Sequence, residues 1–412
     1  MKINFGFTKQ SVNLNIYAFC TFIYLAGIYL VPEYIKYFSL FYIGIVVTSA
    51  ILKGNTNITS TPTVYLWILY IALGLIFSLV YGIANMDDSF EHIVALAIGF
   101  IVQNVYYNKE TQKKILNAIF YVSVIAFIGC VIQLVIPGLL IKILPYTLGP
   151  TKFSYFYNNF FQYGFLVGFS YQTGVTGYYL GIFSGYLLCN GLFNKRLSTF
   201  KKLLCYLFFA MGYVFILLAG KRGEMLVVLM LTLILVFMKY RHKIANIVLI
   251  TLVLLVGVFI LLNFTEMGQD LLERTFTSDP TTGRSRIYKM LMEAFSERPI
   301  FGNGFTSTLS IVVGFTNGHN IYLQVLTENG IVGLTILLII FICNLVEVIK
   351  ALKKSNDTNF IPIIFCLYLQ IHFLILGMFG NPLYDVYPLI AYMISVGVIQ
   401  SIKTIRSRYE VC

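Results

Sequence analysis

Charge is scarce in this chain. Of 412 residues only 11% are Asp, Glu, Lys or Arg, against 58% hydrophobic, and so few ionised groups cannot cover a water-facing surface. Histidine occurs four times and tryptophan once. No Asp-x-Asp pair is present, and Asp87-Asp88 is the nearest approach to a chelating carboxylate cluster. A divalent ion handling a diphosphate therefore has little to hold it, and no metal or other cofactor is expected. There is no nucleophile elbow, phosphate-binding Gly-x-x-x-x-Gly-Lys loop or His-Glu-x-x-His pair. The seven cysteines all fall in apolar runs or at the C-terminus, which excludes a disulfide framework. The period-two alternation of an outer-membrane barrel is missing too.

What is present is length in apolar residues. Runs at about 13-31, 37-52, 62-83, 89-107, 115-142, 171-192, 200-219, 225-240, 244-264, 331-349, 359-379 and 384-402 approach or exceed the roughly 20 residues that span a bilayer. The expectation is an all-α polytopic membrane protein of about twelve transmembrane helices, with the fifth run ending near Pro137. Residues 1-264 form spans one to nine, 265-330 a loop with short helices, and 331-412 spans ten to twelve with a tail. Residues 143-170, rich in Tyr, Phe, Asn and Gly, read as a second loop.

Lys and Arg give the orientation, because cytoplasmic loops carry the positive excess. With both termini inside and the first span uncleaved, most of the 29 basic residues are cytoplasmic, whereas only Glu110, Glu347, Asp357 and Glu410 of the 17 acids are. The net charge of +12 is then the signature of topology and requires no nucleic-acid partner.

Some cations stand outside against this bias, and two groups of them look chemical. Gly220-Lys221-Arg222-Gly223-Glu224 is a tight turn between runs, where Arg222 either pairs with Glu224 or lipid phosphate or holds a ligand. Farther on, Ile287, Leu291 and Phe295 recur every four residues, which predicts a helix from about Thr282 or Gly283 to just before Pro299. Arg284 and Arg286 in its first turn have the wrong sign for a helix N-terminus. Either an acid such as Asp279 neutralises them, or an anion joins them at what is a natural phosphate site. Gly302-Asn303-Gly304 reads as a turn. His319 is the one histidine in a polar outer segment; it is expected in the first turn of a helix that ends at Asn329-Gly330, where the helix field favours a neutral, proton-accepting imidazole.

In order and spacing these pieces resemble the O-antigen polymerase and O-antigen ligase superfamily, the Wzy and WaaL type. The resemblance rests on Lys221-Arg222-Gly223, on Gly283-Arg284 with Tyr288 four residues later, and on Pro299 to Gly304. It continues through His319-Asn320-x-Tyr322-Leu323 and Glu328 to Gly333. Tyr288 stands where the family often has Trp, and Lys221 where it usually has Ser. The resemblance implies a GT-C-like bundle in the bacterial cytoplasmic (inner) membrane, with its active site on the extracytoplasmic face. It implies a glycosyltransferase moving a glycan from undecaprenyl diphosphate to a sugar hydroxyl of a lipid-linked repeat unit, without metal and with inversion. His319 is then the base and Arg222 and Arg284 stabilise the leaving diphosphate, while Lys221, Arg286, Tyr288, Asn320, Tyr322 and Glu328 contact substrate. The expected partners are the lipid-linked glycans, membrane lipids, a flippase and a chain-length regulator. A bias toward Ile, Asn, Lys, Tyr and Phe suggests an AT-rich genome, as in capsule-making cocci that lack a lipid A acceptor, and so favours a polymerase over a ligase. A transporter or flippase of lipid-linked oligosaccharide is the rival from another class; it calls for ionisable residues deep in the spans and related halves.

Overall fold

The computed structural model of the protein describes residues 14-30, 33-52, 60-81, 87-105, 109-264, 269, 273, 283-312, 317-357 and 359-409. Among them every regular element is helical. These are α1 (Leu14–Tyr29), α2 (Glu33–Leu52), α3 (Pro62–Val80), α4 (Asp87–Val105), α5 (Lys109–Val135), α6 (Pro137–Tyr157), α7 (Thr173–Phe193), α8 (Thr199–Leu218), α9 (Arg222–Tyr240) and α10 (Ile244–Phe264). After them come α11 (Arg284–Glu297), α12 (Ser307–Ile311), α13 (Ile321–Lys353), α14 (Phe360–Leu376) and α15 (Val386–Tyr409).

Each of the twelve apolar runs lies largely within a helix. Among the described residues six helices are long and apolar enough to cross a membrane: 62-80, 112-135, 199-218, 222-240, 321-353 and 386-403. Their surfaces agree with that reading. On α8, Phe200, Leu203 and Leu207 all point outward, an arrangement that water penalises and lipid accepts.

The chain divides into two compact units, one made of 1-17, 43-116 and 281-412, the other of 18-42 and 117-280. In the first, α15 packs along α4 at a crossing of small residues. A methyl added at Gly397 would come 2.5 Å from the Gly99 carbonyl oxygen, so the backbones approach as closely as glycine permits. Phe305, fully buried, covers Gly74 of α3, and its carbonyl accepts from the Ser78 hydroxyl at 3.1 Å.

In the second unit a core of Phe127, Leu180, Phe183, Phe215, Ile216 and Val228 joins α5, α7, α8 and α9. The break near Pro137 is present: α5 stops at Val135, and Pro137 opens α6 at a position where its missing N–H costs nothing. The expected loop at 143-170 needs correction. It is helical to Tyr157 and continues as a π-helical turn, Asn158–Gln162, interrupted at Gly149 (φ 74°, ψ 171°). That break leaves Pro150 free to begin a fresh helical segment; buried Leu140 and Leu144 anchor the helix before the break and Phe156 the helix after it.

Candidate active site

In the first unit, α11 starts and stops as its sequence dictates. Gly283 caps it in the left-handed region (φ 79°), and Leu291 is fully buried while Ile287 and Phe295 are half-buried. The first turn carries Arg284, half-buried, and Arg286, exposed. Arg284 and Tyr288 are four residues apart and share a face, and the Tyr288 hydroxyl donates to the His319 carbonyl at 3.4 Å. One helical face therefore carries both Arg284 and the tyrosine that touches the turn bearing His319. Arg286 is two residues on and points elsewhere. Asp279 and Arg274 lie outside the described residues.

His319 does not sit in a helical first turn. It stands one residue before the cap of α13: Asn320 is the cap, its side-chain oxygen accepting from the backbone N–H groups of Tyr322 (3.0 Å) and Leu323 (3.1 Å). Capping is what an Asn before an apolar helical run does best. His319 itself is left-handed at φ 52°, a conformation costing a non-glycine residue about 1–2 kcal/mol. Its neighbours hold it there. The Gly318 N–H donates to Gln324 Oε1 at 2.9 Å, and α11 presses on Gly318 through Leu291. The Tyr322 hydroxyl is committed to the Leu374 carbonyl at 2.8 Å.

Nor does α13 end at Asn329-Gly330. It is interrupted at Gly330 (φ 65°, ψ −167°) and resumes to Lys353. A helix broken inside an apolar setting leaves backbone groups that must be paired elsewhere. Residues 299-304 supply the partners. Asn303 N–H donates to the Thr327 carbonyl (3.0 Å) and Gly304 N–H to that of Glu328 (2.7 Å). In return Ile331 N–H donates to Pro299 (2.9 Å) and Val332 N–H to Ile300 (3.1 Å). The Pro-Ile-Phe-Gly-Asn-Gly turn is thus a backbone clamp over the break. Its glycines follow from proximity: a methyl at Gly302 would fall on the Glu328 backbone, and one at Gly330 on the Ile300 carbonyl.

Glu328, expected against substrate, lies wholly inside this unit. The Tyr384 hydroxyl donates to its Oε2 at 2.6 Å and the Gln324 amide to its Oε1 at 3.1 Å. Gln324 and Tyr384 did not stand out in the sequence. A Gln four residues before a Glu on a helix was a usable signal for the first, whereas Tyr384 gave none, since its partner is 56 positions away.

The second unit holds Lys221 and Arg222. There α8 ends in a Schellman motif: Gly220 (φ 68°) donates to the Leu217 carbonyl at 2.8 Å and Lys221 N–H to that of Ile216 at 3.3 Å. The chain turns at once into α9, so Arg222 occupies its first position and Glu224 is buried in its first turn. The Lys221 stem runs over Gly174 and Gly177 of α7, which offer no side chain to obstruct it. Nearby, the Gln133 amide secures the 164-170 segment, accepting from Val167 N–H (2.9 Å) and Gly168 N–H (2.7 Å) and donating to the Phe165 carbonyl (3.0 Å).

Residues 206–338 match the Wzy_C family, described as O-antigen ligase. The match runs from within α8, through the Lys221-Arg222 and His319 turns, into α13, and it supports the resemblance to the O-antigen polymerase and ligase superfamily. Among curated proteins none matches the chain.

Proposed function

We propose that this membrane protein, whose family points to glycan transfer, is a polysaccharide polymerase working on polyprenyl-diphosphate-linked chains at the outer face of the cytoplasmic membrane. In this reading about twelve spans carry the chain, with both termini in the cytoplasm. The observation that carries it is the shared face of α11, where Arg284 lies one turn before the Tyr288 that touches the His319 turn.

The chemistry follows from the donor. Its anomeric carbon is already activated by the diphosphate, so no nucleotide is consumed. The acceptor hydroxyl oxygen attacks that carbon from the face opposite the diphosphate. The carbon–oxygen bond to the diphosphate breaks, the hydroxyl proton passes to His319, and configuration inverts. Negative charge grows on the departing phosphate oxygens, and a guanidinium already in place at Arg284 stabilises that charge more than it stabilises the ground state. The same part assigned to Arg222 and Lys221 rests on the family resemblance.

The test is reconstitution of the full chain in liposomes with synthetic diphosphate-linked repeat units. Wild type is expected to make a ladder of chain lengths, while His319→Ala and Arg284→Ala are expected to leave the single repeat unit, each losing about a hundredfold or more in rate. Wild-type ladders from either variant would falsify the assignment. Transfer only to an added foreign acceptor would identify a ligase, and movement across the bilayer without bond cleavage a transporter.

A further inference from the structure

We infer that Gln324 is a positioning residue for the His319 turn, a role that rests on His319 being the base of the proposed transfer. Gln324 and Glu328, one helical turn apart, are both fully buried. The Gln324 amide works in two directions. Its Oε1 accepts from the Gly318 N–H at 2.9 Å, while its Nε2 donates to Glu328 Oε1 at 3.1 Å and lies 3.4 Å from Asn317 Oδ1.

Glu328 is fixed from its other side by the Tyr384 hydroxyl at 2.6 Å, and the Tyr384 ring meets His92 edge-on with centroids 5.6 Å apart. A carboxylate accepting from both Tyr384 and Gln324 allows the amide one orientation, with its NH2 toward Glu328 and its carbonyl toward Gly318. The buried acid thereby sets which end of Gln324 faces the turn. Without that carbonyl the buried Gly318 N–H loses its partner, and the left-handed backbone at His319 loses the anchor before it. Misplacing a base by as little as an ångström slows the reaction without weakening substrate binding.

The experiment measures initial rates of the full-length protein in liposomes for four variants: Gln324→Met, Gln324→Glu, Glu328→Gln and the last two combined. Gln324→Met, which removes both polar ends at similar volume, is expected to lower kcat about tenfold or more with KM within about twofold. Gln324→Glu sets two carboxyls against each other and is expected to fall likewise. Adding Glu328→Gln to it is expected to bring kcat back to within about threefold of wild type, because the relay then has the same bonds with the amide and carboxyl exchanged.

Thermal midpoints are read beside the rates. Wild-type turnover per folded molecule in Gln324→Met overturns the positioning role, and so does a combined variant no better than Gln324→Glu alone. A combined variant that fails to fold counts against it too. His319→Ala is run in parallel. If it stays active, the catalytic reading itself fails; if it is inactive while Gln324→Met turns over normally, only the positioning role fails.

Discussion

Gly330→Ala puts the clamp over α13 to a quantitative test. At φ 65° and ψ −167° the backbone occupies a region essentially reserved for glycine, where a side chain costs about 1–3 kcal/mol. The added methyl would also fall on the Ile300 carbonyl. The protein can keep the clamp and carry strain plus clash, or release it and lose four backbone hydrogen bonds at about 0.5–1.5 kcal/mol each. Either route costs about 3 kcal/mol, enough to populate the unclamped state about a hundredfold more often. Hydrogen exchange of purified protein in detergent reads this directly, in peptides covering the Asn303, Gly304, Ile331 and Val332 amides. Gly257→Ala in α10 is the control. It has nothing within 4 Å and is expected to be neutral or to stabilise by about 0.5–1 kcal/mol. Unchanged exchange at the four clamp amides in Gly330→Ala would refute the reasoning.

Other expectations follow from the same geometry. Gly220→Ala forces alanine into the left-handed region and brings its methyl 2.6 Å from Phe165; a loss of about 1–2 kcal/mol is expected by thermal unfolding. Gln133→Leu strips two buried N–H groups of their acceptor at about 1–3 kcal/mol each, and limited proteolysis between residues 163 and 171 should accelerate. Arg286→Ala, at an exposed position off the Tyr288 face, is expected to cost less than about tenfold in rate where Arg284→Ala costs about a hundredfold. Equal losses would remove the distinction between the two arginines.

The helices were legible because bilayer-length apolar runs admit little else. The limits of α11 were legible because Gly283 and Pro299 act locally. What failed was non-local. Asn329-Gly330 carries an ordinary helix-stop signal, yet α13 continues because residues 299-304, far back in the chain, pair the groups exposed by the break. The segment 143-170 reads as a loop for its Tyr, Phe, Asn and Gly, whereas Gly149 absorbs the discontinuity and buried Leu144 and Phe156 hold helix on either side. His319 was placed inside a helix that Asn320 in fact caps, a local signal that was available. The resemblance implies that Glu328 contacts substrate, whereas the side chain is buried. Its commitment to Tyr384 depends on a residue far along the chain.

The clamp also sets the boundaries of any transplant between relatives. A chimera that imports 284-312 alone arrives with Pro299, Ile300, Asn303 and Gly304 facing a foreign helix, whose break need not fall in register. The exchangeable module is the stretch from Gly283 to Gly333, carried whole, so that the 299-304 turn and the interrupted helix travel as one cassette.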